Sequence, residues 1–186
     1  AHEGWKAAAR FAGMVAATAS NTSLTHTSID GAVEPLEMLT NSQYEAAIQA
    51  GMITFSTSPD GIVWVESAIT TLVSPEGEDD DGWKKIRRTK TRKELMSRVD
   101  NTVSPLVGKI NNSTDGQANV IKLVKDVCAA MSNESKISDD YTAVLASANP
   151  TTGASTEVRV NVAHSTCHAR GESTSVSLSS PGSDSS

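Results

Sequence analysis

His164, Cys167 and His168 fall within five residues, and each side chain can ligate a metal. A closed zinc site takes four ligands, usually as two spaced pairs. No second cluster accompanies these three, because His2 and His26 stand far off and alone. The segment therefore reads as the polar end of a strand. Glu76-Gly77-Glu78-Asp79-Asp80-Asp81-Gly82 is rich in oxygen donors, yet it lacks the alternating spacing and distal glutamate of a calcium loop. It reads as a solvated acidic loop. Glycine motifs that cradle phosphate, a nucleophile elbow and a His-Glu-x-x-His helix are missing, and no pair of carboxylates is singled out for acid–base work. The residues assign no catalytic, cofactor-binding or metal-binding set, no cofactor is expected, and enzymatic activity is disfavoured.

The densest chemistry is electrostatic. Lys84-Lys85-Ile86-Arg87-Arg88-Thr89-Lys90-Thr91-Arg92-Lys93 carries 7 of the 16 basic residues and no acid. Residues 1–83, directly before it, hold 2 basic and 12 acidic side chains, a balance of −10. Like charges packed so closely repel unless a partner or neighbouring acids screen them. Three readings follow. The run is a nucleic-acid patch, since phosphate contacts by Lys and Arg supply most non-specific affinity. Against that, no aromatic residue interleaves for base stacking, and the chain is acidic overall at −6. Alternatively it is a solvated helix face neutralised by Glu76–Asp81, or a docking surface for an acidic protein, where complementary potential fixes register.

Helices and strands must position these groups. An amphipathic helix is expected from Trp5 to about Ala17, then a strand-like Leu24–Thr27 and an irregular passage marked by Gly31 and Pro35. Ser42-Gln43-Tyr44-Glu45 fits a capping box, and Gly51 sits where a left-handed residue should stop that helix. Met52–Thr57 and Ile62–Ser67 form a hairpin about Ser58-Pro59-Asp60-Gly61. Ile62-Val63-Trp64-Val65, apolar on both faces, belongs inside a sheet rather than at its edge. Met96, Val99, Val103, Leu106 and Ile110 make a stripe that predicts a helix over 85–110, kinked at Pro105. A second box at Thr114-Asp115-Gly116-Gln117 opens another helix, striped by Val120, Val124, Val127 or Cys128, and Met131. Tyr141–Ala146 and Thr156–Ala163 are strands, the latter alternating apolar and polar. Two helices joined by a short turn usually lie on one face of a sheet.

Length and composition bound the class. The chain has 186 residues, 38% apolar but with only 7 aromatics, enough for one core that is completed against something else. No stretch approaches the roughly 18 apolar residues of a membrane span, and no charged-then-apolar signal segment opens the chain. Cys128 and Cys167 form neither a disulfide framework nor a paired metal motif, so a soluble protein of a reducing compartment is the simplest reading. Beginning at Ala1 and entering helix at once, the chain reads as a piece of a longer polypeptide, with 1–20 as a helix ending a preceding domain. After Gly171 composition collapses: 8 of the last 16 residues are Ser. Residues 171–186 read as a flexible tail in which Val176 and Leu178 could form a brief strand.

In chain order, several segments resemble one family. Asn21-Thr22-Ser23-Leu24-Thr25, Gly31-Ala32-Val33 and Leu39-Thr40-Asn41-Ser42 with Glu45, Ala46 and Gly51 resemble the C-terminal half of contractile-tail sheath proteins. So do Val63-Trp64-Val65-Glu66-Ser67-Ala68-Ile69-Thr70-Thr71-Leu72, Lys85-Ile86-Arg87-Arg88, Gly108-Lys109-Ile110-Asn111-Asn112, Asp115-Gly116 and Val158-Arg159-Val160-Asn161-Val162. The resemblance spans nearly all of residues 5–163. It implies an α+β fold with a small mixed β-sheet, two or three helices on one face and an extended terminal arm. It further implies that 21–170 is the inner, tube-facing domain of a subunit that stacks in rings around a tail tube and contracts to drive the tube through an envelope. The partners implied are neighbouring copies, the tail tube protein, the baseplate and the tail terminator, in a virion tail assembled in the host cytoplasm, without membrane and without nucleic acid. Lys84, Lys85, Arg87, Arg88, Lys90, Arg92 and Lys93 become candidates for subunit or tube contact. Val158, Val160, Val162, Val176 and Leu178 become candidates for strand exchange by β-augmentation. One departure stands out. Where the family closes on an acidic-apolar segment and a final strand, this chain has His164–Gly171 and serine-rich sequence, leaving Thr174–Leu178 as the candidate strand.

Overall fold

A computed structural model of the protein describes residues 4–35, 37–72, 83–110, 113–145, 157–164 and 172–179. The acidic run 76–82 and Cys167–His168 lie outside them. The architecture is α+β and divides into two compact units, 1–90 and 91–186.

The first unit opens with α1, Gly4–Ala17, of which Phe11 is the buried residue. α2 spans Asn41–Gln49, and its cap lies two residues ahead of the expected box. Thr40, still extended at φ −77° and ψ 161°, is the N-cap, and its amide donates to Gln43 Oε1 at 2.8 Å. Ser42 is already helical, so the capping role had passed. Gly51 stops the helix as expected: at φ 73° it occupies the left-handed region that costs a Cβ-bearing residue strain.

β1 (Phe55–Thr57) and β2 (Val63–Val65) then pair antiparallel, with Ser56 opposite Trp64. In the turn between them, Gly61 takes φ 78° and the Ser58 amide donates to Ile62 O at 2.8 Å. The expected strand at Leu24–Thr27 does not form, because His26 turns to φ 58°. The segment nonetheless lines the far side of β2. His26 N donates to Val65 O at 2.7 Å, Val65 N to Thr27 O at 3.1 Å, and Ile29 N to Val63 O at 2.9 Å. β2 is thus flanked on both sides, as its doubly apolar sequence requires. Phe11, Leu24, Val65 and Ala68 form the core, with Met14, Val15, Ile29, Ile53, Phe55 and Ile86 against them.

A short neck closes the acidic segment. Thr70 N donates to Lys84 O at 2.9 Å and Ile86 N to Ala68 O at 3.3 Å, with Ile69 bridged antiparallel to Lys85. The Thr70 hydroxyl adds a bond to Trp83 O at 2.8 Å.

From the neck, α3 runs over Ile86–Val103, and the division between the two units falls inside it. The expected kinked helix to Ile110 is corrected. Val103 ends the helix, Pro105 occupies a 3-10 turn over Ser104–Leu106, and Gly108 reverses the chain at φ 75°. Proline lacks the amide and clashes with the preceding turn, so here it terminates the helix. The stripe also starts elsewhere: Leu95, Val99 and Val103 are buried, while Met96 is 43% exposed. α4 is Thr114–Asn133, capped one residue earlier than expected by Ser113, whose hydroxyl accepts from Gly116 N at 3.2 Å. Its face of Val120, Val124, Cys128 and Met131 packs with the α3 stripe, Ile137 and Ala143.

β3 (Thr142–Leu145), β4 (Glu157–His164) and β5 (Glu172–Ser179) complete the second unit, in the order β3-β4-β5. All named pairings are antiparallel, which corrects the single mixed sheet expected. The connections 58–62, 146–156 and 165–171 are shorter than the crossover of about a dozen residues that a parallel pair needs. The serine-rich stretch 171–186 therefore contains a strand, and Thr174–Leu178 lies inside it.

Candidate assembly site

The basic run is not one open patch. Lys90 reaches back to α1, where its Nζ donates to the carbonyl oxygens of Val15 and Thr18. Those carbonyls sit at the end of α1, where the last turn leaves acceptors unsatisfied and the helix dipole favours a cation. Arg92 is buried, 6% exposed. Lys85 lies in the neck, its Nζ 3.4 Å from Ser67 Oγ. Lys84 is half-buried, and Lys93 is exposed.

Arg87 and Arg88 occupy the first turn of α3, which holds no acidic residue. Cations there oppose the positive end of the helix dipole. Both are half-buried and already in contact with neighbouring groups. Of the seven candidates, Lys90 and Arg92 are committed to the fold itself. Lys84, Lys85, Arg87, Arg88 and Lys93 are the members of the run with surface to present.

The strand-exchange candidates come together in register. Val158 pairs with Leu178 and Val160 with Val176, while Val162 stands opposite Thr174. Among the described residues β3 and β5 are the edges of this sheet, and edges are where a further strand can add. His164 is the last residue of β4. Among the described residues no group of three or more His, Cys, Asp or Glu is placed to hold a metal. Cys128 is fully buried, and burial pushes its thiol up to about 11.

Two clusters escaped the sequence. Trp64 Nε1 donates to Ser56 Oγ at 2.6 Å, Ser56 donates to Glu66 Oε2 at 2.5 Å, and His26 stacks on the Trp64 ring at 4.7 Å. The hairpin register sets Ser56 beside Trp64 and Glu66, and the 24–29 segment along β2 brings His26 to them; neither is knowable from residue types. The second is a ring of charge. Arg98 bonds Glu94 at 2.6 Å and Glu134 at 2.7 Å, and Lys136 bonds both glutamates at 2.7 Å. The Glu94/Arg98 spacing of four was visible in the sequence; its partners across the fold were not.

Residues 2–71 match the family model of the phage tail sheath protein central domain. The structure superposes on the sheath tail protein of Desulfitobacterium hafniense with a TM-score of 0.78 at 22% identity, covering 91% of this chain and 39% of that one. The fold is that of the tail sheath proteins. The sheath tail protein Lin1278 of Listeria innocua gives 0.74 at 16% identity, over 91% of this chain and 40% of that one. The contracted helical sheath of the anti-feeding prophage gives 0.65 at 13%, over 87% and 46%. The chain thus spans less than half the length of the sheath proteins it resembles. No curated protein sequence matches it.

Proposed function

We propose that this chain forms the inner, tube-facing part of a structural subunit of a contractile tail sheath. Such a subunit stacks in rings around an inner tube and rearranges to drive that tube through a target envelope. The observation carrying the reading is the sheath fold over 91% of the chain, joined to the family-model match over residues 2–71. Within the proposal, residues 21–170 are the inner domain, 1–20 end a preceding one, and β5 in 171–186 lies in the arm that links neighbours. The partners are further copies of the subunit, the tube protein, the baseplate and the tail terminator. The particle is a phage or phage-like tail assembled in the host cytoplasm. The role is mechanical, not catalytic.

Physical chemistry supports this reading over a nucleic-acid module. Two cations of the basic run, Lys90 and Arg92, are turned to internal use. The chain's balance of −6 opposes a phosphate backbone, and no comparison points to nucleic acid. Arg87 and Arg88, which sit against their helix dipole, are the cations that a partner's acidic surface would compensate. The test is electron microscopy of the full-length sheath protein carrying Arg87→Glu and Arg88→Glu. Failure to form ordered sheaths, with an unaltered circular-dichroism spectrum, is expected; sheaths indistinguishable from wild type refute the docking role.

A further inference from the structure

Glu94, Arg98, Glu134 and Lys136 close a four-membered ring in which each acid meets two bases and each base two acids. Glu94 Oε1 accepts from Arg98 Nη2 at 2.6 Å and Lys136 Nζ at 2.7 Å. The Glu134 carboxylate accepts from Arg98 Nη1 and Nη2, both at 2.7 Å, and from Lys136 Nζ at 2.7 Å. One half of the ring is a single helical turn of α3. The other straddles the end of α4, where Ser135 takes φ 56° and swings the chain towards β3. We propose that this ring is an ion-sensitive latch holding the α4–β3 turn, and with it the edge strand β3, against α3.

The turn is held by two kinds of tie. Ile137, 4% exposed, plugs it into the core shared with Leu95, Val99 and Met131. The ring supplies the ionic tie. The turn's other acids have local partners: Asp139 accepts from Ser132 in the last turn of α4, and Asp140 from Ser138. The exposure of the ring decides its character. Its side chains keep between 15% and 42% of their surface in solvent, so salt reaches and screens it. Exposed pairs taken singly are worth little. In a closed ring, however, ordering one side chain serves two bonds, which lowers the entropic cost of each. The two bases hold Glu134 down at about 2, the Arg98 hydrogen bond contributing most. The latch thus withstands mild acid and yields to salt.

Hydrogen exchange read by mass spectrometry on this chain tests the latch. Wild type is compared in about 20 mM and about 1 M NaCl, and Glu134→Gln and Lys136→Gln in the low salt, conditions between which the Debye length falls from tens of ångströms to a few. Amides of 136–143 are expected to exchange about fivefold faster in high salt and in both variants. The amides of Leu95–Val103 should not change. Salt-independent protection of 136–143 in wild type, or wild-type protection in either variant, overturns the latch. Glu134 is the most exposed member of the ring and Lys136 the least, and retained protection in α3 confirms that each variant is folded.

Discussion

Lys90 caps a helix from 75 positions away along the chain, its ammonium lying on the Val15 carbonyl. Replacing it with Met removes the cation but keeps most of the stem. The expected result is a loss of about 1.5–3 kcal/mol, the range for hydrogen bonds to charged groups, read from urea unfolding of the first unit. Cys128 behaves in the opposite way. Buried and held as a thiol up to about 11, it should resist alkylation at pH 8 in a Cys167→Ser background until denaturant opens the second unit. Rapid labelling under native conditions would contradict that packing. Glu134 fixes a pH limb. Its pKa falls from 4.5 to about 2 on folding, so its stabilisation is full above pH 4.5 and is lost as pH falls towards 2. Glu134→Gln should flatten the acid unfolding curve across that window.

At the scale of elements, the caps and turns carry local predictions. Thr40→Ala should destabilise α2 by about 1 kcal/mol, as N-cap losses do, whereas Ser42→Ala should leave thermal unfolding nearly unchanged. That contrast separates the observed cap from the one residue types alone suggest. The hairpin, both long helices, Gly51 and the buried line Val120, Val124, Cys128 and Met131 were legible in the sequence. Periodicity and turn chemistry are local, and they survive folding. What misled was competition between equally good local signals. Thr40/Gln43 and Ser42/Glu45 both spell a capping box, and the structure uses the first. Leu95 and Met96 are both apolar, and the partner helix selected Leu95 for burial. Leu24–Thr27 has strand composition, yet His26 in the left-handed region leaves only hydrogen bonds to β2.

For the whole molecule, charge segregation was visible at once, but its meaning was not. The run 84–93 looked like one surface because sequence cannot show which cation turns inward. Folding sends Lys90 to α1 and buries Arg92, so the candidate assembly surface shrinks to Lys84, Lys85, Arg87, Arg88 and Lys93. A graded outcome follows. Charge reversal at Lys93 should impair sheath formation without a stability cost, while Arg92→Glu should unfold the chain by burying an opposed charge, a penalty of about 3–5 kcal/mol. Paired assays of melting temperature and sheath yield distinguish the two. The register of β4 with β5 likewise turns a low-complexity stretch into an ordered strand, because cross-strand pairing can order serines that have little intrinsic β preference.

The neck joins Ala68–Thr70 to Lys84–Ile86. Its hydrogen bonds fix both ends of residues 71–83 whatever lies between, and each doubling of such a closed segment costs only about 0.6 kcal/mol. Related lineages are therefore free to lengthen, shorten or re-charge this stretch, and an engineer could graft a foreign peptide there without disturbing either core.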